Sequence, residues 1–525
     1  MIKRPAFVLG VILALAALSI TQASHGLTFY YDEWDFIIRR RGISADSLLG
    51  PHNGHLSLIP VLFYKTLLAT IGLSHYWVYK LGGLIAHLLA ATFVYLQAQR
   101  RIGPWWALVP ATLVAFLGAA WEDLVWAFQI GFVGSIAAGL VMLWALDRDT
   151  RRSDLIAAAA LLVALACSSQ GIPFVVVALA ELAVQRQWAR IARTLVAPVG
   201  LYAVWYLAYG EGDLRWSNLD AVPAYSFQML SAAGEGVVGL TGAGAGPVVA
   251  ALAVIALLAA AVRGAWTARA SGLLAGLAAL LALTALARAQ YGEPDASRYI
   301  YPVAVFGLLL LVELLASRVT VTGPTQRAAA VVAAALLVVA LGGRHQLVAG
   351  AGGLRGNQQT VSAELAALRL IHGAIPPDYQ PDPNLAPQLT VGGYLGAAKD
   401  FGTEQASADG LRRLSPSRRA AADGLLLRVR GPQASPVKVP APGASRCRVI
   451  AAGAVLPLPD RGLTIATPKG RVAQVRYRRF ADTFADQPAT SVGAGASVVT
   501  PGIDGIAVPW QIRVDGADGV RVCVS

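Results

Sequence analysis

Charged residues are scarce in this sequence. Asp, Glu, Lys and Arg make up 14% of its 525 residues, whereas a soluble globular domain contains about 25%. Hydrophobic residues reach 56%, and the mean hydropathy is +0.56. Apolar runs of roughly 20 residues recur along the chain, and each is long enough to cross a bilayer core of about 30 Å. The composition therefore excludes an ordinary soluble protein and predicts a polytopic membrane protein.

Cysteine is equally scarce, and three cysteines in a chain of this length exclude a disulfide-dense secreted scaffold. Cys167 lies at the end of an apolar run, where a cysteine usually acts as a small inert hydrophobe. Cys447 and Cys523 bracket the last part of the chain. They are a candidate disulfide pair if that part is extracytoplasmic, although two cysteines alone leave the pairing open.

Nucleotide-binding motifs are absent, because the sequence contains neither a Walker nor a dinucleotide-binding signature. The net charge is +13 and the pI about 9.8, which in a soluble protein would raise the question of nucleic acid. Here many arginines cluster in short loops between apolar runs, as the positive-inside rule describes for cytoplasmic loops. We therefore expect membrane lipid, and not nucleic acid, as a partner.

Hydropathy predicts about eleven transmembrane helices. They lie near residues 5–22, 76–98, 104–120, 124–146, 154–168, 171–184, 193–209, 247–262, 270–287, 300–316 and 326–342. The first follows Lys3 and Arg4 and is interpreted as an uncleaved helix with a cytoplasmic N-terminus. The apolar segment from His55 to Leu73, interrupted by Lys65, fits a helix that lies on the membrane surface.

The distribution of arginines favours one orientation. The predicted inner loops carry most of them, whereas the predicted outer turns near 121–123 and 168–170 carry no Lys or Arg. The exception is the long first outer loop, in which residues 39–41 are all Arg. An odd number of spans places the chain after Gly342 outside. We thus expect a multi-pass protein of the cytoplasmic (plasma) membrane with an extracytoplasmic C-terminal domain.

The predicted fold is a mainly α polytopic membrane protein with a C-terminal α+β domain. Residues 1–342 form the transmembrane domain, which includes the first outer loop, 23–75. Residues 343–435 are expected to mix helices, such as one from Val361 to His372, with Pro-rich loops. In residues 436–525, short β-type runs alternate with Gly, Pro and Asp turns, which predicts an extracytoplasmic β-rich domain ending in a small β-sandwich.

The first outer loop is the densest polar region beside the membrane. It carries Asp32, Glu33 and Asp35 within four residues, and it ends with His52, Asn53 and His55. Placing carboxylates beside a bilayer costs free energy, so such residues usually have a functional role. Asp32 and Asp35 are spaced to share one face of a helix, whereas Asp32 and Glu33 are not. The alternative interpretation is a solvated loop with charges at a helix start.

Two further polar positions lie at predicted outer turns. Glu122 and Asp123 stand between two tryptophans, and Gln129 follows inside the next span, where a polar group needs a partner. The alternative is that the acids favour a helix N-terminus and the tryptophans anchor the interface. Gln170 belongs to a polar break between two short spans, which either lines a cavity or forms a tight turn.

The last feature is Arg298 followed by Tyr299, at the outer mouth of the tenth span. An arginine at headgroup depth suits a phosphate through a bidentate contact, and ordinary lipid anchoring is the alternative. On the predicted inner side, Asp147 and Asp149 are expected to form surface pairs with the arginines around them. The candidate functional residues therefore all fall on the predicted outer face.

The order of these features resembles the GT-C class of integral membrane glycosyltransferases, the group with protein mannosyltransferases, aminoarabinose transferases and mycobacterial arabinosyltransferases. The resemblance covers roughly residues 1–342. It rests on Asp32 and Glu33 after the first span, on the acidic second outer loop at 122–123, and on Arg298 with Tyr299 near a late outer loop. It implies a hexosyl- or pentosyltransferase that uses a polyprenyl-phosphate sugar as its donor.

The resemblance also implies residue roles. Asp32 would be the catalytic base of an inverting transfer, with Glu33 as the fallback or as a partner that holds the acceptor. Glu122 and Asp123 would assist through hydrogen bonds or by holding a divalent cation, since metal dependence differs among members. Arg298 would bind the donor phosphate, helped by Lys65 and Lys80.

Neither the sugar nor the acceptor, which is a glycan, a lipid or a protein, follows from the sequence. The sequence around Asp32 and around His52 differs from that of the best-known members of the GT-C class. The choice of base among Asp32, Glu33 and Asp35 is therefore open. Two other functions compete with the transferase: a transporter or flippase of a lipid-linked sugar, and a non-catalytic scaffold for the C-terminal domain. A transporter would place its polar groups near the midplane, often in two related halves, and this sequence shows no such halves.

Overall fold

A computed structural model describes residues 4–240, 242, 244–262, 266–316, 324–371, 375–403, 405–438, 447–484, 489–493, 495–516 and 519–524. The chain divides into two compact units. The first unit comprises Met1–Gly26, Arg40–Thr70 and His75–Leu354. The second unit comprises Leu27–Arg39, Ile71–Ser74 and Arg355–Ser525, so the acidic segment of the first loop belongs to the second unit.

Helices make up almost all of the first unit. Its α-helices are α1 (Arg4–Ala23), α2 (Ala45–Leu49), α3 (Leu58–Thr70), α4 (Tyr76–Ile102), α5 (Leu108–Ala115), α6 (Trp121–Val125), α7 (Ile130–Leu146), α8 (Arg151–Cys167), α9 (Ile172–Val184), α10 (Trp188–Tyr209), α11 (Val222–Val238), α12 (Gly246–Val262), α13 (Ala268–Arg288), α14 (Ser297–Leu315) and most of α15 (Gln326–Leu368).

Eight helical segments in the described residues are long and apolar enough to cross a membrane, and three shorter apolar helices accompany them. The fold is thus the mainly α, multi-span architecture that the hydropathy predicts, while the number of about eleven spans stays a prediction. Apolar helices suit a bilayer because each backbone N–H and C=O finds its partner inside the same segment. The predicted surface segment forms α3, a helix of 13 residues.

Residues 116–129 interrupt the helical order of the first unit. Between α5 and α7 the chain forms two short 3-10 turns, Gly118–Ala120 and Ala127–Gln129, on either side of the five-residue helix α6. The turn at Gly118 lies so close to the carbonyl oxygen of Gly343 that a Cβ atom would not fit there. This close approach fixes non-helical backbone beside α15 and presents the acidic residues of α6.

The helix that contains the last predicted span extends beyond it. The predicted span ends near residue 342, whereas α15 continues without interruption to Leu368 and spans 43 residues. The glycines after Leu341 are unfavourable in a helix but do not stop it, because no proline follows until well beyond Leu368. The separate helix predicted from Val361 is therefore the end of α15, and His372 lies outside the described residues.

The expected surface pairing of Asp147 is wrong. Its carboxylate accepts hydrogen bonds from Arg101 at 2.7 Å and from Arg269 at 3.1 Å, which come from α4 and α13 and not from the neighbouring loop. Arg269 also pairs with Glu181 on α9 at 2.5 Å, and Arg101 pairs with Glu313 on α14. Helix packing therefore assembles a buried charge network that ties five helices together at one end.

The second unit combines short helices with two antiparallel sheets. In its described part, the helices beyond α15 are α16 (Val391–Phe401), α17 (Ala408–Arg412) and α18 (Pro416–Arg430). The strands are β1 (Gln433–Val437), β2 (Cys447–Ile450), β3 (Ala454–Pro457), β4 (Leu463–Thr467), β5 (Ala473–Arg478), β6 (Ala489–Val492), β7 (Gly495–Thr500), β8 (Gln511–Asp515) and β9 (Val520–Val524). Their orders are β1-β7-β4-β9-β2 and β3-β8-β5-β6, all pairs antiparallel.

Alternating burial along the strands explains the two sheets. On β5, Ala473, Val475 and Tyr477 are buried while the residues between them are partly exposed. This period of two is the mark of a strand with one face in a core. The β-rich C-terminal domain predicted from the sequence is thus present as a five-stranded and a four-stranded sheet.

A disulfide joins Cys447 and Cys523, which stand opposite each other on β2 and β9. Because it closes a loop with a sequence separation of 76 residues, we expect its loss to destabilise the β-rich domain by about 2–4 kcal/mol. Cys523→Ser should therefore lower the melting temperature, measured by near-ultraviolet circular dichroism. Cys167→Ala is the control, since Cys167 is a buried free cysteine of the first unit. Equal melting curves for Cys523→Ser and the wild type would contradict the prediction.

Candidate functional site

The acidic segment of the second unit has an unusual backbone. Tyr31 adopts φ of +47°, a left-handed conformation that is rare for a residue with a side chain. Asp35–Arg39 then form a single π-helical turn. Both features are costly, and both occur preferentially at functional sites. Asp32 lies between them, so its position is set by strained backbone on each side.

The three carboxylates of this segment have different surroundings. Glu33 is fully buried, and its Oε2 accepts the backbone N–H of Tyr30 at 2.9 Å. Asp35 lies 3.7 Å from the guanidinium of Arg39, one turn further along the chain. Asp32 is 8% exposed, and its Oδ1 accepts a hydrogen bond from Gln388 Nε2 at 3.1 Å. Glu33 thus stabilises the local backbone, whereas Asp32 is held by a neutral amide.

Trp34 forms the aromatic side of the same segment. Its ring packs against Phe29 and, edge to face, against Tyr394 of α16, each with 5.9 Å between ring centroids. The helix α16 approaches closely because Gly393 has no Cβ, which would otherwise lie 2.6 Å from Ile38 Cγ2. The indole Nε1 of Trp34 is buried and has no hydrogen-bond partner among the described residues. An indole N–H in that state is an available donor for a ligand.

In the first unit, two sequence-predicted features meet: Glu122 of α6 pairs with Arg298 of α14. Glu122 Oε2 accepts the backbone N–H of Arg298 at 3.1 Å and its Nη1 at 3.4 Å. In return, Ser297 Oγ accepts the backbone N–H of Glu122 at 3.0 Å. A carboxylate on the first turn of α14 is favoured by the helix dipole, so this contact fixes α6 against α14.

Arg298 is shared between two acids. Its Nη2 donates to Glu293 Oε2 at 3.1 Å, and its guanidinium carbon lies 5.0 Å from the ring centroid of Tyr299. About a third of the Arg298 side chain is exposed. The guanidinium is therefore held in place by carboxylates and a ring, and it keeps an open edge toward solvent.

Asp123 is the most unusual carboxylate of the first unit. It is 2% exposed, and neither of its oxygens has a hydrogen-bond partner among the described residues. Glu122 and Arg298 are its nearest charged influences, of opposite sign. Burial of a carboxyl group without hydrogen-bond partners is unfavourable. A residue kept in such a state is a candidate for binding a ligand or a cation.

A buried hydrogen-bonded pair joins α4 and α14. The Tyr301 hydroxyl is 2.9 Å from His87 Nδ1, and His87 Nε2 is 3.2 Å from the carbonyl oxygen of Ala115. Because a carbonyl oxygen only accepts, Nε2 carries the proton, and in the neutral ring Nδ1 accepts from the Tyr301 hydroxyl. Tyr301 is within electrostatic range of Asp123. This pair was not predicted, since neither residue stands in a recognisable motif.

The residues from His52 to His55 form a tight two-residue hairpin. His52 and His55 pair as an isolated antiparallel bridge, and both Asn53 and Gly54 have positive φ. This is the geometry of a type I′ turn, for which Asn-Gly is the preferred sequence. Arg288 donates to the carbonyl oxygen of Asn53 at 3.2 Å, which ties the turn to the end of α13.

Both histidines of this hairpin contact the predicted outer turns. His55 Nδ1 lies 2.6 Å from Ser169 Oγ, in the polar break that contains Gln170. The His52 ring packs on Phe128, with 5.1 Å between centroids, next to Gln129. Burial, together with Arg288 and His52, lowers the pKa of His55 to about 3. His55 is therefore a neutral hydrogen-bonding group at physiological pH and not a cation for phosphate.

Gln129 and Gln170 share a property with Asp123. Each is buried, and each Oε1 has no hydrogen-bond partner in the described part of the chain. Both stand in short 3-10 turns, 127–129 and 169–171, at the starts of α7 and α9. The first unit thus gathers several buried acceptor atoms at its helix breaks.

The two lysines expected to help bind the phosphate donate hydrogen bonds to neighbouring residues of the first unit. Lys65 Nζ donates to the carbonyl oxygens of Arg40 and Gly42 and to Ser47 Oγ, the last at 2.7 Å. Lys80 Nζ donates to the carbonyl oxygen of Ser24 at 2.9 Å. Lys65 therefore already directs its three donors to loop residues 40–47.

The described residues supply only part of the ligand set that a metal site needs. The described residues contain no group of three or more His, Cys, Asp and Glu side chains that would enclose a metal ion. Glu122 and Asp123 are a pair of neighbouring carboxylates. A hard cation on such a pair would need water or ligand oxygens to complete its shell.

The structure brings together some of the predicted residues in each unit. In the first unit Glu122 meets Arg298, and the His55 loop meets the polar break at 168–170. In the second unit Asp32 contacts Gln388, which was not predicted as a site residue. Glu293 was also missed, although an acid five residues before Arg298 was a usable signal.

Comparison with known proteins gives a structural likeness only. No family model matches this sequence, and no curated protein matches it. The fold is similar to two crystal structures of ArnT from Cupriavidus metallidurans. The structure bound to undecaprenyl phosphate has 16% identity and a TM-score of 0.46, with 72% of this chain and 82% of that chain covered. The apo structure has 14% identity and a TM-score of 0.48, with 75% and 85% covered.

The identities and TM-scores are too low for any residue role to pass from those structures to this chain.

Proposed function

We propose that this protein is a membrane glycosyltransferase that moves a sugar from a polyprenyl-phosphate donor to an acceptor hydroxyl. The observation that carries the proposal is the buried carboxylate of Asp123, without partners among the described residues, beside the Glu122–Arg298 pair. A purely structural role does not explain an acid held at this energetic cost. A reaction that needs a cation or a hydrogen-bonding ligand at this place explains it.

The reaction is an inverting substitution at the anomeric carbon. Asp32 accepts the proton of the acceptor hydroxyl, and the hydroxyl oxygen forms a bond to the anomeric carbon. The bond from that carbon to the phosphate oxygen breaks, and the polyprenyl phosphate leaves with the bonding electron pair. Asp32 suits the role of base better than Glu33, whose carboxylate is fully buried and binds backbone.

The donor phosphate is assigned to Arg298. A guanidinium binds phosphate through charge-assisted hydrogen bonds and stabilises the charge that develops on the leaving group. Three carboxylates, those of Glu122, Asp123 and Glu293, influence this one cation. The donor is a phosphodiester with one negative charge, and the leaving polyprenyl phosphate gains a second as the bond to the sugar breaks. A divalent cation held by Glu122 and Asp123 would offset this excess negative charge.

The predicted location supports a lipid-linked donor. All candidate residues lie on the predicted outer face of the cytoplasmic membrane, where nucleotide sugars are absent. A polyprenyl phosphate carries its sugar within the bilayer, so it reaches such a site. The acceptor belongs to the cell envelope under this proposal and is a glycan, a lipid or a protein.

Binding of the lipid phosphate tests the proposal without turnover. We expect undecaprenyl phosphate to bind the protein in nanodiscs with Mg²⁺, as measured by native mass spectrometry. Arg298→Ala should weaken binding by about tenfold or more, the effect of losing a hydrogen bond to a charged group. Arg215→Ala is the matched control, because Arg215 is an exposed arginine on a predicted outer loop. Unchanged binding by Arg298→Ala would remove Arg298 from the phosphate site, and no binding by the wild type would contradict the proposal.

A further inference from the structure

The segment 375–390 is irregular but fixed in place. Val391 N–H donates to the carbonyl oxygen of Tyr379 at 2.9 Å, and Asp382 Oδ1 accepts the backbone N–H groups of Asn384 and Leu385 at 2.9 and 2.8 Å. Such an Asx turn stabilises non-helical backbone. Leu389, which follows Gln388, is fully buried. The side chain of Gln388 therefore projects from a constrained position.

The orientation of the Gln388 amide follows from its contact with Asp32. The two side chains are 3.1 Å apart, from Nε2 to Oδ1. Because an ionised carboxylate only accepts hydrogen bonds, the NH₂ group must face Asp32 and the amide oxygen must face elsewhere. That oxygen is buried and has no hydrogen-bond partner among the residues that the structure describes.

A second buried polar atom, this time a donor, belongs to the acidic segment that contains Asp32. Trp34, two residues after Asp32, is 4% exposed, and its Nε1 also lacks a partner within the described residues. One of these atoms is an acceptor and the other is a donor. A hydroxyl group is both donor and acceptor, whereas a carboxylate or a phosphate offers no hydrogen to the amide oxygen.

We propose that Gln388 is a positioning residue for Asp32 and binds the acceptor of the reaction through its amide oxygen. The Nε2 group holds the Asp32 carboxylate, and Oε1 accepts a hydrogen bond from a hydroxyl of the acceptor. The acceptor is then a neutral polyhydroxylated compound, a sugar or glycan, at the point of recognition. This inference rests on the proposed function, because it takes Asp32 as the base.

Two substitutions separate the two roles of the amide. Gln388→Met keeps the length of the side chain and removes both the donor and the acceptor. Gln388→Glu keeps an acceptor oxygen but places a second carboxylate against Asp32. We expect Gln388→Met to raise the KM for the acceptor and to lower kcat, each by about tenfold. Gln388→Glu should lower kcat with a smaller effect on the KM for the acceptor.

The first arm of the experiment measures binding and does not depend on turnover. The full chain in nanodiscs is mixed with methyl glycosides of glucose, galactose, mannose and arabinose, and binding is followed by saturation-transfer NMR. We expect at least one glycoside to bind the wild type and to bind Gln388→Met about tenfold more weakly. Asn384→Ala is the control, since Asn384 is an exposed amide of the same segment.

The second arm measures sugar transfer from a radiolabelled polyprenyl-phosphate sugar to the glycoside that binds. Loss of glycoside binding in Gln388→Met, with normal binding in Asn384→Ala, supports the inference. If the wild type binds none of the glycosides, or if Gln388→Met binds them normally, the inference is overturned. If the inference is overturned but the wild type still transfers sugar, the proposed function stands. If a glycoside binds but no sugar is transferred, the proposed function is refuted and the inference about binding is not. If Gln388→Met does not fold, Gln388→Glu tests the positioning of Asp32 through its kcat, and an unchanged kcat overturns the inference.

Discussion

Replacement of Asp32 by Asn is expected to lower sugar transfer by about 10²- to 10⁴-fold, the range that a positioned general base contributes. An amide has nearly the shape of the carboxylate but does not accept the proton of the acceptor hydroxyl. The fold should survive, because the environment of Asp32 is neutral on the side of Gln388. The measurement is the rate of label transfer from a polyprenyl-phosphate sugar by purified variants in proteoliposomes.

A matched control distinguishes the base from a general loss of charge. Asp46→Asn changes an exposed carboxylate of the same loop and should leave the rate within about twofold, since exposed substitutions have small effects. Full activity in Asp32→Asn would move the base to Glu33 or Asp35. Glu33→Gln is then informative, because the buried carboxylate of Glu33 accepts the Tyr30 N–H and its replacement should reduce stability as well as activity.

The second large effect is expected at Asp123, where activity should fall without a loss of stability. Asp123→Asn removes the acid but no hydrogen bond within the described chain, so the fold loses no contact. The variant should melt at or above the melting temperature of the wild type. Its transfer rate should fall by about 10²-fold, the scale of losing one electrostatic contact in the transition state.

Asp295→Asn provides the comparison for Asp123, because Asp295 is an exposed acid on the loop before α14. Neither its melting temperature nor its rate should change. A lower melting temperature for Asp123→Asn would show that the carboxylate is a structural partner and would remove the observation on which the proposed function rests. If a cation binds at Glu122 and Asp123, EDTA should reduce wild-type activity and have little further effect on Asp123→Asn.

Helix positions were predictable from the sequence because apolar length is a direct physical requirement of a bilayer. The end of α15 was not, since glycines weaken a helix without stopping it, and tertiary packing of Leu347, Ala351 and Leu354 in the first unit continues the helix past residue 342. Periodicity also gave the β-rich C-terminal domain, in which β5 alternates between buried and partly exposed residues.

The candidate site was predictable only in part. Acidic, amide and arginine residues at helix breaks stood out because polar groups beside a bilayer are rare. The residues that contact them did not stand out in the sequence. Gln388 lies 356 residues from Asp32 along the chain, and His55 lies 114 residues from Ser169. Such contacts are set by helix packing and loop closure, for which a single sequence contains no local signal.

The central claim is that this chain transfers a sugar from a lipid phosphate. The most direct measurement is the release of polyprenyl phosphate and the labelling of an acceptor when wild-type proteoliposomes receive radiolabelled polyprenyl-phosphate sugars of several kinds, beside vesicles that carry Asp32→Asn. We predict that the wild type turns over at least one donor and that Asp32→Asn does not. Equal turnover by both preparations would move the base to Glu33 or Asp35, whereas no release, no labelling and no binding with any donor would contradict the claim.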